Sequence, residues 1–177
     1  MIFTPLSPKD LLLVPKLKRL GMVYPINTLM AARKCGMPLA LGCSILMQET
    51  SGGVNEFGHD PTIFVGAGLV TEDLYLQYRA QRNKTGMQQG VGPCQLTDSS
   101  LQNEADNLGG CWKPVVNMYV GFKYLLDMIR QNGGVPRGTR AGVTQYNGSG
   151  PEAVAYAQEV EARTVYYAKY LNVPNPF

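Results

Sequence analysis

The feature that most constrains the fold is a run of apolar and small residues from Leu39 to Met47, which Pro38 precedes. Such residues would fall on every side of a helix, a pattern typical of a helix surrounded by protein. Proline is tolerated at a helix start because the first N–H groups have no intrahelical partner. The glycines that follow Ser51 are expected past a helix end. The sequence therefore predicts a central buried helix.

Glu49 lies where this helix would leave the core, since the polarity changes abruptly at Gln48-Glu49-Thr50. Partial burial and the negative end of the helix dipole both disfavour an ionised carboxylate, so we expect a raised pKa for Glu49. A carboxylic acid that keeps its proton near neutral pH can protonate a departing sugar oxygen. The alternative is a structural glutamate paired with an arginine.

The composition indicates one globular domain and excludes several classes of function. The chain has 177 residues, of which 45% are hydrophobic and 16% charged, and its net charge of +3 is scattered. A nucleic-acid-binding protein would be expected to show a clustered basic stripe. The longest uncharged run is too short to cross a bilayer, and no secretory signal precedes it. We therefore expect a protein with neither a nucleic-acid nor a membrane partner.

The cysteines and the single histidine suggest neither a metal site nor a cofactor. Cys35, Cys43, Cys94 and Cys111 form no Cys-x-x-Cys pair, which favours buried thiols, although a Cys43–Cys94 disulfide stays open. A lone histidine such as His59 cannot assemble a metal site without a second histidine or a cluster of acids.

The remaining pattern predicts a mainly helical α+β domain. Its clearest amphipathic helix begins near Pro114, with apolar residues at steps of three and four. Further helices are predicted over residues 24–34, 71–83, 99–108, 139–146 and 151–171, with Thr97 as the cap of the third. Glycines and short β-branched or aromatic runs over residues 54–68 favour a small β-hairpin lobe. We assign 1–22 to an extension or linker packing on the domain, 23–171 to the domain and 172–177 to a tail.

Three separate segments together resemble the lysozyme-like superfamily, specifically the goose-type lysozymes and related lytic transglycosylases. They are residues 48–53 (QETSGG), 90–97 (GVGPCQLT) and 145–150 (QYNGSG). In that family a catalytic glutamate ends a central helix, a glycine-rich strand lines the cleft, and an Ala-Tyr-Asn motif opens the final helical section. The resemblance covers roughly Leu39 to Leu171. Residues 51–53 and 57–60 (FGHD) also look like the catalytic domains of actinobacterial phage endolysins.

The resemblance implies a role for each matching residue. Glu49 would be the general acid. Tyr146 would reach toward Glu49 with its hydroxyl, and Asn147 would bind backbone or sugar. Gln95 would hold an N-acetyl group or the peptide backbone, because an amide both donates and accepts. His59 and Thr97 are the remaining candidate substrate-binding residues. The alternatives are a core tyrosine, a helix-capping asparagine, a surface glutamine and a histidine that only makes structural hydrogen bonds.

The second carboxylate is harder to assign. An inverting hydrolase needs a base whose carboxyl lies roughly 6.5–9.5 Å from that of the acid. Asp60 is the leading candidate and Glu56 the reserve, although an aspartate before Pro61 is also a common turn residue. The chain departs from the family where Pro93-Cys94 replaces Leu-Met, where Gln145 replaces alanine, and where Thr97 stands in place of the aspartate of some goose-type enzymes.

The resemblance implies a muramidase that cuts peptidoglycan glycan strands between N-acetylmuramic acid and N-acetylglucosamine. It further implies a monomer, flanking peptidase and wall-binding domains in a larger endolysin, and a host-cytoplasmic location before lysis. Four alternatives stay open: a lytic transglycosylase giving 1,6-anhydro products, a chitinase-like enzyme, a cysteine amidase using Cys94 or Cys43 with His59, and a wall-binding module without activity.

Overall fold

The computed structural model describes residues 1–57 and 68–177, and this part of the chain is mainly helical. Its helices, in chain order, are α1 (Pro8–Leu11), α2 (Val14–Arg19), α3 (Pro25–Cys35), α4 (Leu39–Thr50), α5 (Glu72–Thr85), α6 (Ser99–Asn107), α7 (Pro114–Gln131), α8 (Thr139–Asn147) and α9 (Pro151–Leu171). The helical segments predicted from the sequence correspond to α3 to α9, with ends that coincide or differ by at most two residues.

Helix α4 is the buried centre that the apolar run predicts. Pro38 is its N-cap residue, and seven consecutive residues from Ala40 to Leu46 are buried. The helix packs against α9 and α3. A helix that buries nearly all its sides gains most of its stability from tertiary packing, so α4 fixes the positions of its neighbours.

Helix α7 is strongly amphipathic, as predicted, and packs against α3, α6 and α8. The predicted core positions Met118, Phe122, Leu125 and Ile129 are buried. Val115 and Tyr119 are only partly buried, because the buried face also includes Val116 and Asn117. That shift brings a polar amide into the core, and the amide is used to hold a loop of the candidate site.

The first 22 residues contain two short helices, where the sequence indicated no more than an extension or one short helix. Pro15 is the second residue of α2, so it begins a helix at the point where it would interrupt a longer one. Leu17 is fully buried against the core. At the other end of the chain, the Thr139 hydroxyl donates to the carbonyl of Pro176 at 2.7 Å. Both ends of the chain therefore pack on the helical body.

The predicted β-hairpin lobe is not supported. The described residues contain no strand, and their one β-bridge is an isolated antiparallel pair of Val91 with Leu96. Residues 51–54 form a turn after α4, whereas 58–67 lie outside the described residues. Glycine-rich segments are equally compatible with turns, as residues 51–54 show. Across the described ranges, no helix has the length and apolar character needed to cross a bilayer.

Candidate active site

Glu49 is the penultimate residue of α4, and the end of this helix is firmly anchored. Ser51 adopts a left-handed conformation with φ of 52° and ends the helix. Gly52 follows with φ of 80°, and a Cβ at this position would lie 2.4 Å from the carbonyl oxygen of Gly21. The carbonyl of Gly52 accepts a hydrogen bond from the N–H of Val23 at 3.0 Å. The glycine therefore serves the docking of the N-terminal segment against the end of α4.

Thr50, the next residue, links α4 to the loop that faces it. Its buried hydroxyl donates to the carbonyl of Pro93, with the oxygen atoms 2.9 Å apart, and accepts from the N–H of Gly53 at 3.1 Å. Since Glu49 and Thr50 are adjacent on the same helical turn, this bond fixes the distance between the acid and the loop.

Residues 91–98, which we call the loop wall, are held from behind by the amide of Asn117 on α7. The Asn117 Oδ1 accepts from the N–H of Cys94 at 2.9 Å, and its Nδ2 donates to the carbonyl of Val91 at 2.8 Å. Gly92 has a φ of +75°, and a Cβ there would lie 2.3 Å from Asn117 Nδ2. Glycine is required at this position both for its conformation and for the close approach of the amide.

Gln95 lies in the loop wall with a left-handed φ of 47°. Its Nε2 donates to the carbonyls of Glu56 at 2.6 Å and Gly92 at 3.0 Å. Both partners are carbonyl oxygens, so the nitrogen end of the amide must face them. The two N–H groups are therefore engaged inside the protein.

Gln48 and Glu49 of α4, together with Tyr156 of α9, form the opposite side of the site, which we call the helix wall. The Tyr156 hydroxyl donates a short hydrogen bond to Oε1 of Glu49. Burial first, and then the nearby charge of Glu49, raise the pKa of Tyr156, so this phenol keeps its proton. Gln48 accepts from Arg163 at 2.6 Å and donates to Glu159 at 3.0 Å. The polar residues of this wall thus bond across the α4–α9 interface.

Tyr146 makes a different contact from the one predicted. Its hydroxyl donates to the carbonyl of Cys94 at 3.0 Å, and a phenol has only one proton to donate. The tyrosine that donates to Glu49 is therefore Tyr156. Tyr146 is still close to the acid, because the charge of Glu49 contributes to raising the pKa of Tyr146 after burial and Cys94.

The two walls enclose a cleft of about 520 Å³. This volume is in the range of sites that hold small ligands. The cleft is lined by Gln48, Glu49, Gln95, Leu96, Thr97, Asp98, Leu101, Tyr124, Tyr146, Asn147 and Tyr156. It brings together five of the seven predicted site residues, namely Glu49, Gln95, Thr97, Tyr146 and Asn147. Asp60 and His59 lie outside the described residues.

Asp98 is a charged cleft residue that the sequence reasoning missed. It is exposed and is the N-cap of α6, a role assigned above to Thr97, and its Oδ1 accepts from the N–H of Ser100 at 2.6 Å. Hydrogen bonds from Ser100 hold the pKa of Asp98 below its usual range, so its carboxylate is charged at neutral pH. The sequence did contain a signal for this residue. Asp98 directly follows Thr97, which stands in place of the aspartate of some goose-type enzymes.

Glu56 does not line the cleft. It is 1% exposed, and burial raises the pKa of its carboxyl group, an effect that the hydrogen bond from the N–H of Val70 opposes. Its backbone N–H donates to the carbonyl of Gly68, and its carbonyl accepts from Gly92 and Gln95. Glu56 therefore links three segments of the chain, and its position argues against a role as the reserve base.

A second set of buried amides supports the loop wall from α5 and α6. The Nε2 of Gln102 donates to the carbonyls of Leu96 at 2.6 Å and Gln89 at 2.9 Å. Its Oε1 accepts from Arg82 at 2.6 Å, and Tyr78 also belongs to this network. Because buried polar groups are costly when unpaired, such a network specifies one arrangement of the loop.

The cysteines are free, which answers the open disulfide question. Burial raises the pKa of the Cys43 thiol to about 12 and that of Cys94 well above its usual value. A nucleophilic cysteine must be a thiolate, so both thiols are in the wrong state for an amidase. The described residues also contain no group of three His, Cys, Asp or Glu side chains that could hold a metal ion.

Comparisons with protein-family models, with curated proteins and with solved structures find no match for this chain. The interpretation of the cleft therefore depends on its residues and their geometry.

Proposed function

We propose that this chain is a lysozyme-like glycosidase that cleaves peptidoglycan between N-acetylmuramic acid and N-acetylglucosamine, with Glu49 as the general acid. The observation that carries the proposal is the convergence of three segments. Glu49, Gln95 and Tyr146 are spread over about a hundred residues of sequence, yet they line the same cleft. These residues come from the same three segments that carry the resemblance to the lysozyme-like superfamily.

The geometry of Glu49 suits proton donation. Its Oε1 accepts the hydroxyl of Tyr156, which keeps its own proton. The Tyr156 contact restricts rotation of the carboxyl group, so the proton has a defined position when the glycosidic oxygen approaches. General acid catalysis of this kind typically contributes about 10²–10⁴-fold.

Hydrolysis also needs a carboxylate that activates water. Asp98 is a candidate for this role, because it is charged, exposed and lines the same cleft as Glu49. Asp60 remains the candidate that the resemblance implies. We favour hydrolysis with Asp98 in this role and expect the larger loss of activity from Asp98→Asn than from Asp60→Asn. A transglycosylase, in which the muramoyl 6-hydroxyl attacks, would need neither residue.

The test is digestion of bacterial cell walls by the wild type and Glu49→Gln, with the masses of the released products recorded. We expect the wild type to release muropeptides with reducing ends and Glu49→Gln to lose activity by about 10²–10⁴-fold. Glu152→Gln is the matched control, because Glu152 is exposed in the first turn of α9 and does not line the cleft. It should digest walls at the wild-type rate.

Other results would select other functions. Exclusively 1,6-anhydro products would indicate a lytic transglycosylase. Cleavage of chitin oligomers without cleavage of walls would indicate a chitinase-like enzyme. Sedimentation with walls and unchanged turbidity would indicate a binding module. Equal activity of Glu49→Gln and wild type would remove Glu49 from the mechanism in all of these cases.

A further inference from the structure

The basic residues of this chain are concentrated near its beginning. Residues 1–48 contain six lysines and arginines and a single acidic residue, whereas residues 49–177 contain ten lysines and arginines and twelve acidic residues. The first part therefore has a net charge of +5 and the second a net charge of −2, which the total of +3 conceals. Such an asymmetry indicates an anionic partner for the first part of the chain.

Residues 8–19, which contain α1 and α2, pack on the helical body by one face and expose the other. Asp10 and Leu17 are buried and seven residues apart, so they lie on the inward face. Leu11 and Leu12 are 48% and 74% exposed. A single exposed leucine is common on a protein surface, but here two successive leucines are turned outward. We call the exposed side chains of residues 8–19 the outer face.

Positive charges accompany these leucines. Four basic side chains on the outer face or at the end of α3 are exposed and form no ion pair with any residue in the ranges 1–57 and 68–177. They are Lys9, Lys18, Arg19 and Lys34. Asp10, the one acid in this part of the chain, is already paired with Arg33. The four charges are therefore available to an anionic partner.

An apolar groove of about 430 Å³ borders the same segment. It lies between Asp10 and Leu13 on one side and the end of α3 and residues 173–174 on the others, and most of its lining is apolar. Leu11 and Leu12 lie between Asp10 and Leu13 in the chain. The exposed leucines of the outer face are therefore close to further apolar surface.

The groove and the cleft lie at opposite ends of α4. Leu39, the first residue of this helix, lines the groove, whereas Glu49, its penultimate residue, lines the cleft. Ten residues of α-helix span about 15 Å. A large partner can therefore cover the outer face and the groove without covering Glu49.

We propose that the outer face and the adjoining groove form a docking surface for an anionic phospholipid bilayer. Leu11 and Leu12 enter the boundary between head groups and acyl chains, and the four free bases contact lipid phosphates. The charge selects an anionic partner, and the exposed leucines favour a bilayer over a soluble polyanion, which offers no apolar phase. The proposal departs from the expectation, based on total charge and on the length of the apolar run, that the chain has no membrane partner.

The test is sedimentation of the full chain with vesicles of phosphatidylcholine and phosphatidylglycerol, compared with vesicles of phosphatidylcholine alone. We expect binding to the anionic vesicles only, and weaker binding at high salt. A base near an anionic surface contributes about fivefold in affinity, so Lys9→Glu with Lys18→Glu should lower affinity by about 25-fold or more. The control is Lys84→Glu with Arg137→Glu, two exposed residues that do not line the groove. It changes the net charge equally and should keep wild-type affinity.

The leucines are tested without a change of charge. Leu11→Ser with Leu12→Ser should lower affinity for the anionic vesicles by about tenfold, because apolar surface no longer leaves water. Leu69→Ser with Leu76→Ser is the control, since both leucines are exposed and lie outside the docking surface. Thermal unfolding checks that every variant is folded.

Insertion has a signature of its own. Vesicles that contain brominated acyl chains should quench the fluorescence of Leu12→Trp more strongly than that of the wild type or of Leu76→Trp. Glu49→Gln should bind vesicles as the wild type does, so vesicle binding and wall digestion are tested separately.

Four results would overturn the docking surface. They are wild-type affinity of Leu11→Ser with Leu12→Ser, equal losses in the two charge-reversed pairs, and no added quenching in Leu12→Trp. The fourth is self-association of the chain without vesicles that Leu11→Ser with Leu12→Ser abolishes, because the surface would then be an interface between two copies.

Discussion

The helix wall and the loop wall hold their functional groups by different means. In the helix wall, Glu49 is positioned by the helix that carries it, and its neighbours bond through exposed or partly buried side chains. In the loop wall, the backbone itself is held by buried amides of Asn117 and Gln102. The helix wall therefore positions the proposed acid. The conformation of the loop wall, by contrast, depends on hydrogen bonds to buried polar groups.

This difference predicts different consequences of substitution. Removing a partner from the loop wall leaves buried backbone groups unpaired and should reduce stability. Removing a partner from the helix wall exposes a polar group that water can reach, so stability should change little while catalysis changes more. The following variants test that division, in order of decreasing effect.

Asn117→Ala tests the loop wall most severely. It leaves the buried N–H of Cys94 without a partner and removes one of the two hydrogen bonds that the carbonyl of Val91 accepts, the other being from the N–H of Leu96. Since an orphaned buried group costs about 1–3 kcal/mol and a lost hydrogen bond about 1 kcal/mol, we expect the free energy of unfolding to fall by about 3 kcal/mol. Denaturant unfolding followed by circular dichroism measures this change.

Asn132→Ala is the matched control on the same helix. Asn132 is exposed just past the end of α7, and its amide bonds Met128 and Gln145. We expect a loss below about 1 kcal/mol, because water can replace both partners. Equal losses of stability in Asn117→Ala and Asn132→Ala would mean that burial of the Asn117 amide does not make its hydrogen bonds to the loop wall more important than those of an exposed amide.

Asp98→Asn separates the charge of this residue from its capping role. Asparagine caps a helix about as well as aspartate, so the melting temperature should be unchanged. Loss of the charge should lower kcat on cell walls by about 100-fold if Asp98 activates water. Full activity of Asp98→Asn, combined with an inactive Asp60→Asn, would transfer the role to Asp60.

Tyr156→Phe is the smallest change and tests the helix wall. A hydroxyl that donates to a carboxylate stabilises the charged form and lowers the pKa of the acid. Removing it should raise the pKa of Glu49. An acid that must be protonated then works up to a higher pH, so the basic limb of the pH–rate profile should move upward.

Tyr146→Phe is the comparison for that shift. Its hydroxyl bonds a neutral carbonyl of the loop wall, so its loss should reduce stability by about 1 kcal/mol and leave the basic limb in place. A basic limb that moves downward in Tyr156→Phe, or one that moves equally in both variants, would contradict the assignment of Tyr156 to the acid.

The helix wall could be predicted from the sequence to a large extent, because helix ends have local signals. The apolar run, the polarity change at Gln48 and the residues that follow Ser51 predicted that Glu49 lies at a helix end. The grouping of Glu49 with residues of the other two motifs was implied by the resemblance, and Gln95 and Tyr146 line the same cleft. Tyr156 was missed because only the packing of α4 against α9 brings it to Glu49, which is 107 positions away.

The loop wall could be predicted far less well. Asn117 occupies a core position of an amphipathic helix, where periodicity favours an apolar residue, and nothing local indicates that its amide holds a loop 23 residues away. The choice of Thr97 over Asp98 as the helix cap shows a similar limit. Both are good capping residues, and a shift of one position lies within the usual uncertainty of helix ends.

The bond between Thr50 and the carbonyl of Pro93 joins the two walls one residue away from Glu49. A rotation that opens the cleft would have this hydrogen bond as its pivot, and displacement in a rotation grows with distance from the pivot. Parts of the cleft far from Thr50 would therefore move more than Glu49, which is next to it in the chain. In the proposed enzyme, the acid would keep its orientation while the rest of the cleft opens and closes.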